Sequence, residues 1–295
     1  ALGLADGAVR WKTDLDASLT SAVGAGSDLV IVSAADGGVH ALDAATGQAK
    51  WRAQASSEVL AAAVTDGDVV VVQAADSRLQ AFDAATGNPR WNFSATQAVL
   101  SLRGNGAPVI RDGVVYAAFD NGKMAAIDAR SGMLVWEQRF IVPDGRSELE
   151  RVIDVQADPL VTESDVIVGS YQGAIINVAR ERGQPQWQEK ASVARCMAMA
   201  DGSIFIVEGD DTVRALRQSS GREAWKTASL AGRRLTAPAV IGDYVAVGDS
   251  DGYVHLLSQL DGSYAGRHKV GSGLRANLLG DGDTLYVLTS AGKLY

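Results

Sequence analysis

The side chains able to do chemistry are few and scattered along this chain. Three histidines, His40, His255 and His268, stand far apart, and a single cysteine, Cys196, excludes an internal disulfide and any site that needs two thiolates. His40 and His255 follow Val39 and Val254 at matching places in a repeat, which reads as repetition on strands rather than a metal cluster. His268 follows Gly266 and Arg267, with no Ser or Cys nucleophile arrangement assignable around it. Asp249-Ser250-Asp251-Gly252 opens like a calcium loop, but its twelfth position is Leu260, where such a loop closes with an acid. A hairpin turn is the plainer expectation, and it extends to Glu208, Asp210 and Asp211 in the preceding unit. Cys196, within Arg195-Cys196-Met197-Ala198-Met199, is expected on a strand in the core. No catalytic constellation and no cofactor site emerges from these residues.

The elements that must carry these residues declare themselves through the tryptophans. All six, Trp11, Trp51, Trp91, Trp136, Trp187 and Trp225, lie four positions after a glycine: Gly7, Gly47, Gly87, Gly132, Gly183 and Gly221. A further copy, Gly262 to Gly266, keeps the glycine without the aromatic. The period matches a four-stranded propeller blade. Val39 to Gly47 and Leu79 to Gly87 are nearly identical, and Met124 to Gly132 is a third copy. Each reads as a strand, an Asp that starts a turn, and a Gly that closes it. Upstream lie unbroken apolar runs such as Val69 to Val72 and Val166 to Val168, expected as central strands buried on both faces. Asp36-Gly37, Asn121-Gly122 and Asp251-Gly252 between run and copy suggest primed hairpin turns. Pro108, Pro159 and Pro238 suit the first residue of a strand, where a missing N–H costs least.

The expectation is therefore an all-β fold: a β-propeller of four-stranded blades, with about seven repeat units visible, forming one domain over residues 1–295. The tryptophans are expected to wedge between neighbouring blades rather than stack on a ligand, because regular repetition distributes them around a ring. Aligning Gly292 with Gly37 and Gly7 with Gly47 makes both ends cut the same strand, so an N-terminal segment that supplies part of a blade is expected beyond Ala1. Composition narrows the partners. Lys plus Arg number 27 against 35 for Asp plus Glu, and the resulting net charge of -8 repels phosphate backbones, so nucleic acid is set aside. With 47% hydrophobic and 21% charged residues the chain can bury a core, yet no run approaches the roughly 18 to 20 apolar residues of a membrane-spanning helix.

The string Ala41-Leu42-Asp43-Ala44-Ala45-Thr46-Gly47 through Trp51, nearly repeated at 81 to 91, resembles the repeat of propellers related to pyrroloquinoline quinone alcohol dehydrogenases. Three stretches are more specific: Leu100 to Pro108, Ser147 to Val155, and Gly248 to Tyr253. Together they resemble the BamB family of the outer-membrane β-barrel assembly machine, over essentially the whole chain. The resemblance implies an eight-bladed, non-enzymatic propeller without cofactor, held to the periplasmic face of the outer membrane of a Gram-negative bacterium by a lipidated N-terminal cysteine. It also implies binding to the periplasmic domains of the barrel-forming subunit, BamA, and help in presenting unfolded outer-membrane proteins. Carried over residue by residue, the partner-binding positions are Leu100, Leu102, Arg103 and Asp154; a second family acid is replaced by Gln156.

Spacing supports such a surface independently. Trp91 to Pro108 and Trp136 to Pro159 are longer gaps than Trp225 to Pro238, so two consecutive connectors are enlarged and are expected to form one patch. Leucines beside an arginine, facing an acid-containing loop, have the make-up of an apolar anchor with a charged rim. The plainer alternative makes Leu100 and Leu102 alternate core positions, with Arg103 paired to a nearby carboxylate. A rival of another class is a quinone- or metal-dependent periplasmic enzyme. The related quinone enzymes, however, use a vicinal cysteine pair and a tryptophan platform, whereas Cys196 is alone and every Trp belongs to the repeat. A ligand-sensing propeller is a third reading and would require a deep central pocket with converging polar groups.

Overall fold

A computed structural model of the chain describes residues 1–4, 6–95, 106–141, 155, 157–171, 173–193 and 195–295. Among these the regular secondary structure is all β. The chain divides into two compact units, Ala1–Val152 and Ile153–Tyr295. The first unit holds three antiparallel sheets, each a four-stranded meander. Sheet one comprises β1 (Gly24–Gly26), β2 (Leu29–Ser33), β3 (Gly38–Asp43) and β4 (Ala49–Gln54). Sheet two comprises β5 (Val64–Thr65), β6 (Val69–Gln73), β7 (Arg78–Asp83) and β8 (Pro89–Ser94). Sheet three comprises β9 (Val109–Arg111), β10 (Val114–Phe119), β11 (Lys123–Asp128) and β12 (Leu134–Arg139).

The second unit repeats the plan three times and adds a strand pair. Sheet four comprises β13 (Leu160–Val161), β14 (Asp165–Gly169), β15 (Gly173–Ala179) and β16 (Pro185–Ala191). Sheet five comprises β17 (Ala198–Ala200), β18 (Ser203–Val207), β19 (Val213–Arg217) and β20 (Glu223–Thr227). Sheet six comprises β21 (Ala239–Ile241), β22 (Tyr244–Gly248), β23 (Tyr253–Ser258) and β24 (Tyr264–Lys269), followed by the pair β25 (Leu279–Asp281) and β26 (Thr284–Tyr286). Six full sheets and one partial sheet account for the seven repeats expected from the tryptophan and glycine spacing.

The unbroken apolar runs follow from packing on both faces of the second strand. In β6, Val70 and Val72 join Leu29, Ile31 and Ala41 of sheet one, while Val69 and Val71 join Val115, Ala117 and Ile127 of sheet three. In β18, Ile204 and Ile206 pack toward sheet four and Phe205 and Val207 toward sheet six. Period-2 geometry sends successive side chains to opposite faces, so a strand sandwiched between two sheets has no solvent face to make polar. Each fully buried valine stabilises by about 1.5–3 kcal/mol relative to exposure.

Within each unit the tryptophans lock one repeat to the next. The indole N–H of Trp51, on outer strand β4, donates to the Ala84 carbonyl in the turn of sheet two at 2.8 Å. Trp91 does the same to Ala129 at 2.7 Å, and Trp11 to Ala44 at 2.9 Å. In the second unit Trp187 reaches the Gln218 carbonyl and Trp225 the Gln259 carbonyl. The receiving turn is built by the repeat's Asp and Gly. Asp83 Oδ1 accepts from the N–H groups of Ala85 and Thr86 and from the Thr86 hydroxyl, and Gly87 closes the turn at φ +73°. A Cβ on Gly87 would lie 2.7 Å from the Trp51 ring, so the glycine serves both the left-handed turn and the seat of the indole. Opposite each of the five tryptophans carried on outer strands, at a bulge common to all six sheets, stands Ala41, Ala81, Ala126, Asn177 or Ala215; where Gly266 replaces the Trp, the partner is Leu256.

Three local expectations need correction. The Asp-Gly and Asn-Gly hairpins are not primed turns: only Gly37, Gly122 and Gly252 take positive φ, while Asp36, Asn121 and Asp251 do not. Their N–H groups reach Ala34, Phe119 and Asp249 carbonyls, giving three-residue loops in which the glycine forms the bulge. The Asp36 and Asn121 side chains instead accept the N–H two residues on, from Gly38 and Lys123. Pro108, Pro159 and Pro238 sit one residue before their strands rather than on them. Cys196 lies in the connector ahead of β17, half-buried, not on a core strand.

Candidate binding surface

The five residues expected to contact a partner, Leu100, Leu102, Arg103, Asp154 and Gln156, all lie outside the described residues. Their connectors are the two longest between sheets, 95–108 and 140–159, against 55–63, 192–197 and 228–238, or 270–278 ahead of the final strand pair. The structure also fixes where both connectors begin. Ala95 N–H donates to the Ser77 carbonyl at 3.1 Å and Phe140 N–H to the Gly122 carbonyl at 2.9 Å, so each connector leaves beside the hairpin between second and third strands. In sheets two and three of the first unit the launch points are therefore at the same end, opposite the Asp-to-Gly turns. Beneath them the scaffold is tightly packed: Phe93 and Phe119 meet at 6.1 Å between ring centres, Phe140 and Ala107 are buried, and Gln73 Nε2 donates to the Ala118 carbonyl at 2.9 Å.

The acids that suggested a calcium loop are committed to other partners. Asp249, fully buried, accepts from the N–H groups of Asp251 and Tyr253 through Oδ1. Its Oδ2 lies 2.9 Å from both His255 Nε2 and Arg233 Nη1. Burial pushes its carboxyl up, but the His255 ring, the Tyr253 N–H and the Arg233 guanidinium outweigh that and hold it below the usual range. Glu208 stands at the same repeat position in sheet five and accepts from Arg214 at 2.9 Å; Glu189 and Glu223 flank the same guanidinium at 3.5 and 3.1 Å. Asp210 accepts from Thr212 N–H, and Asp211 from the N–H groups of Arg234 and Leu235. These buried pairs escaped the sequence reading, although aligned repeats carry the signal: positions with Ala34 and Ala74 in sheets one and two become acids in sheets five and six, each six residues before Arg214 or His255.

Among the described residues no three His, Cys, Asp or Glu side chains are arranged to hold a metal ion. Burial, with Asp158 adding to it, pushes the Cys196 thiol up, and Asn277 lies 3.5 Å from its Sγ, a setting for a protonated thiol rather than a nucleophile.

Meandering four-stranded sheets stacked through buried second strands and locked by a repeated indole define a β-propeller built from four-stranded blades. The sequence pattern of one family, described as outer membrane protein assembly factor BamB, matches residues 1–227. The chain belongs to that family. The assembly factor BamB of Pseudomonas aeruginosa is 43% identical over 196 residues, 66% of this chain and 52% of that protein. The same factor from Legionella pneumophila is 33% identical over 195 residues, 66% of this chain and 51% of that protein. The chain thus spans about half the length of the curated relatives it matches. The crystal structure of BamB from Moraxella catarrhalis aligns with a TM-score of 0.89 at 26% identity, covering 98% of this chain and 87% of that one.

Proposed function

We propose that this chain is a non-enzymatic scaffold in outer-membrane protein assembly, docking on the periplasmic domains of the barrel-forming subunit BamA. It works at the periplasmic face of the outer membrane, held there by a lipid anchor of the kind its family carries. The observation that carries the reading is the family match joined to the two enlarged connectors, which leave adjacent sheets at the same end. Leu100 and Leu102 form the apolar anchor, Arg103 and Asp154 the charged rim, and Gln156 replaces a charge by an amide at its edge. Asp249, with His255 and Arg233, and Glu208, with Arg214, stabilise the blades rather than act on a substrate, since each carboxylate is held by the fold's own donors.

The test is co-purification with BamA. Arg103→Ala with Asp154→Ala is expected to reduce recovery of the complex at least tenfold, the scale of one interface hot spot of about 1.4 kcal/mol or more, while the thermal midpoint moves by no more than a few degrees. Parallel loss of stability and binding would instead place these side chains in the core.

A further inference from the structure

The register of sheet six gathers an unusual set of cations on one face. Tyr253 pairs directly with Lys269 and His255 with Arg267, so these four side chains project together from β23 and the outer strand β24. The Arg267 guanidinium lies 4.7 Å above the Tyr253 ring and the Lys269 ammonium 4.4 Å from the same ring. The two like charges lie against one ring and repel, yet no carboxylate among the described residues lies within 4.0 Å of either; the Lys269 ammonium donates to the Asp251 carbonyl at 3.0 Å. From Gly262 to Gly280 there is no acidic residue, although the chain as a whole carries a net charge of -8.

Comparison between repeats shows what is missing. Arg52 of sheet one holds the place of Arg267, and it pairs with Asp36 at 3.1 Å. The equivalent of Asp36 in sheet six is Asp251, but it faces Arg233 at 4.0 Å, drawn to the arginine that also neutralises buried Asp249. Arg267 is thus left as an oriented guanidinium without its repeat partner. Beside it opens a cavity of about 430 Å³ lined by Ser229, Leu230, Arg233, His255, Tyr264 and Arg267, offering hydroxyl and guanidinium donors around one apolar side chain.

We propose that this face of sheet six is a second docking surface, which takes an extended acidic peptide segment through Arg267, Lys269 and the adjoining cavity. Two cations that no carboxylate answers, in a stretch of chain without acids, complement the carboxylates of an acidic segment, which an extended chain presents on one face at alternate positions. A lipid surface would call for side chains projecting from the strand, whereas here both cations lie down on a tyrosine ring. The proposal rests on residues of the second unit alone and stands or falls apart from the BamA reading.

The test is fluorescence anisotropy of the full chain with a dye-labelled synthetic peptide carrying Glu at alternate positions. Arg267→Ala with Lys269→Ala is expected to weaken binding about threefold to tenfold, and about 0.5 M salt to abolish it, while Lys12→Ala leaves it unchanged. The same peptide with Gln for Glu should not bind. Should the alanine pair perturb folding, Arg267→Glu with Lys269→Glu should capture a Lys-bearing version of the peptide instead. Equal affinity of wild type and the alanine pair, or no binding by wild type, overturns the proposal. So does binding to phosphatidylglycerol vesicles without binding to the peptide.

Discussion

Asp83 condenses the residue-level design into one carboxylate. Its oxygens accept from Arg90, from the Thr86 hydroxyl and from the Thr86 N–H, in that order of effect, and together these hold its pKa at about 2 against an ordinary 3.8. Asp43, Asp128 and Asp261 are lowered by the same kind of hydroxyl and backbone donors, from Thr46, Ser131 and Ser263. A folded pKa below the unfolded one means that the stabilisation is fully present above about pH 4 and is lost as pH falls through about 2. Asp83→Asn should therefore start with a lower thermal midpoint at pH 7 but fall less between pH 4 and pH 2 than wild type, as followed by circular dichroism. Equal falls would show that the carboxylate is no better satisfied folded than unfolded. This role was legible in the sequence because an Asx side chain bonding its own backbone is a local event. Asp249 was not, since its partners His255 and Arg233 come from another strand and another connector.

At the level of elements, the unit of stability is the indole seated on the next sheet's turn. Trp51→Ala removes that ring, its 2.8 Å bond to the Ala84 carbonyl and its contact with Phe82, and is expected to cost about 3–5 kcal/mol. Gly87→Ala forces a Cβ into the left-handed region, a strain of about 1–2 kcal/mol, and pushes it against the same ring. If ring and glycine form one lock, the two losses cannot both be felt in full. Urea unfolding of the two single variants and the double should show the double at least about 0.5 kcal/mol less destabilised than their sum. Additive losses would mean that the indole stabilises through its own sheet alone. The Gly-x-x-x-Trp spacing made this lock readable from sequence, and where the ring is absent the pair changes at both positions, to Leu256 opposite Gly266. Hairpin geometry was not readable, because Asp-Gly fits both a primed two-residue turn and a three-residue loop. Only the φ of the Asp separates them.

For the whole molecule the question is what an acidic chain of blades gains from two long connectors. Their lengths and positions were plain in the sequence, since the spans Trp91 to Pro108 and Trp136 to Pro159 can be measured against Trp225 to Pro238. How Leu100 and Leu102 are presented was not, because alternate leucines satisfy equally the pattern of a buried strand and that of an exposed anchor. The scaffold itself does not depend on the extra length: Ala95 is tied to Ser77, Ala107 is buried, and Phe93 packs on Phe119 on either side of the segment. Loop closure changes slowly with length, about 0.6 kcal/mol per doubling, so shortening this connector to match 55–63 should leave the thermal midpoint within a few degrees. The same change removes Leu100, Leu102 and Arg103 together, and co-purification with BamA is expected to disappear. A shortened chain that melts as wild type and still binds would move the docking surface away from this connector. One that neither folds nor binds would make the leucines part of the core, the outcome that the pinned ends of the segment argue against.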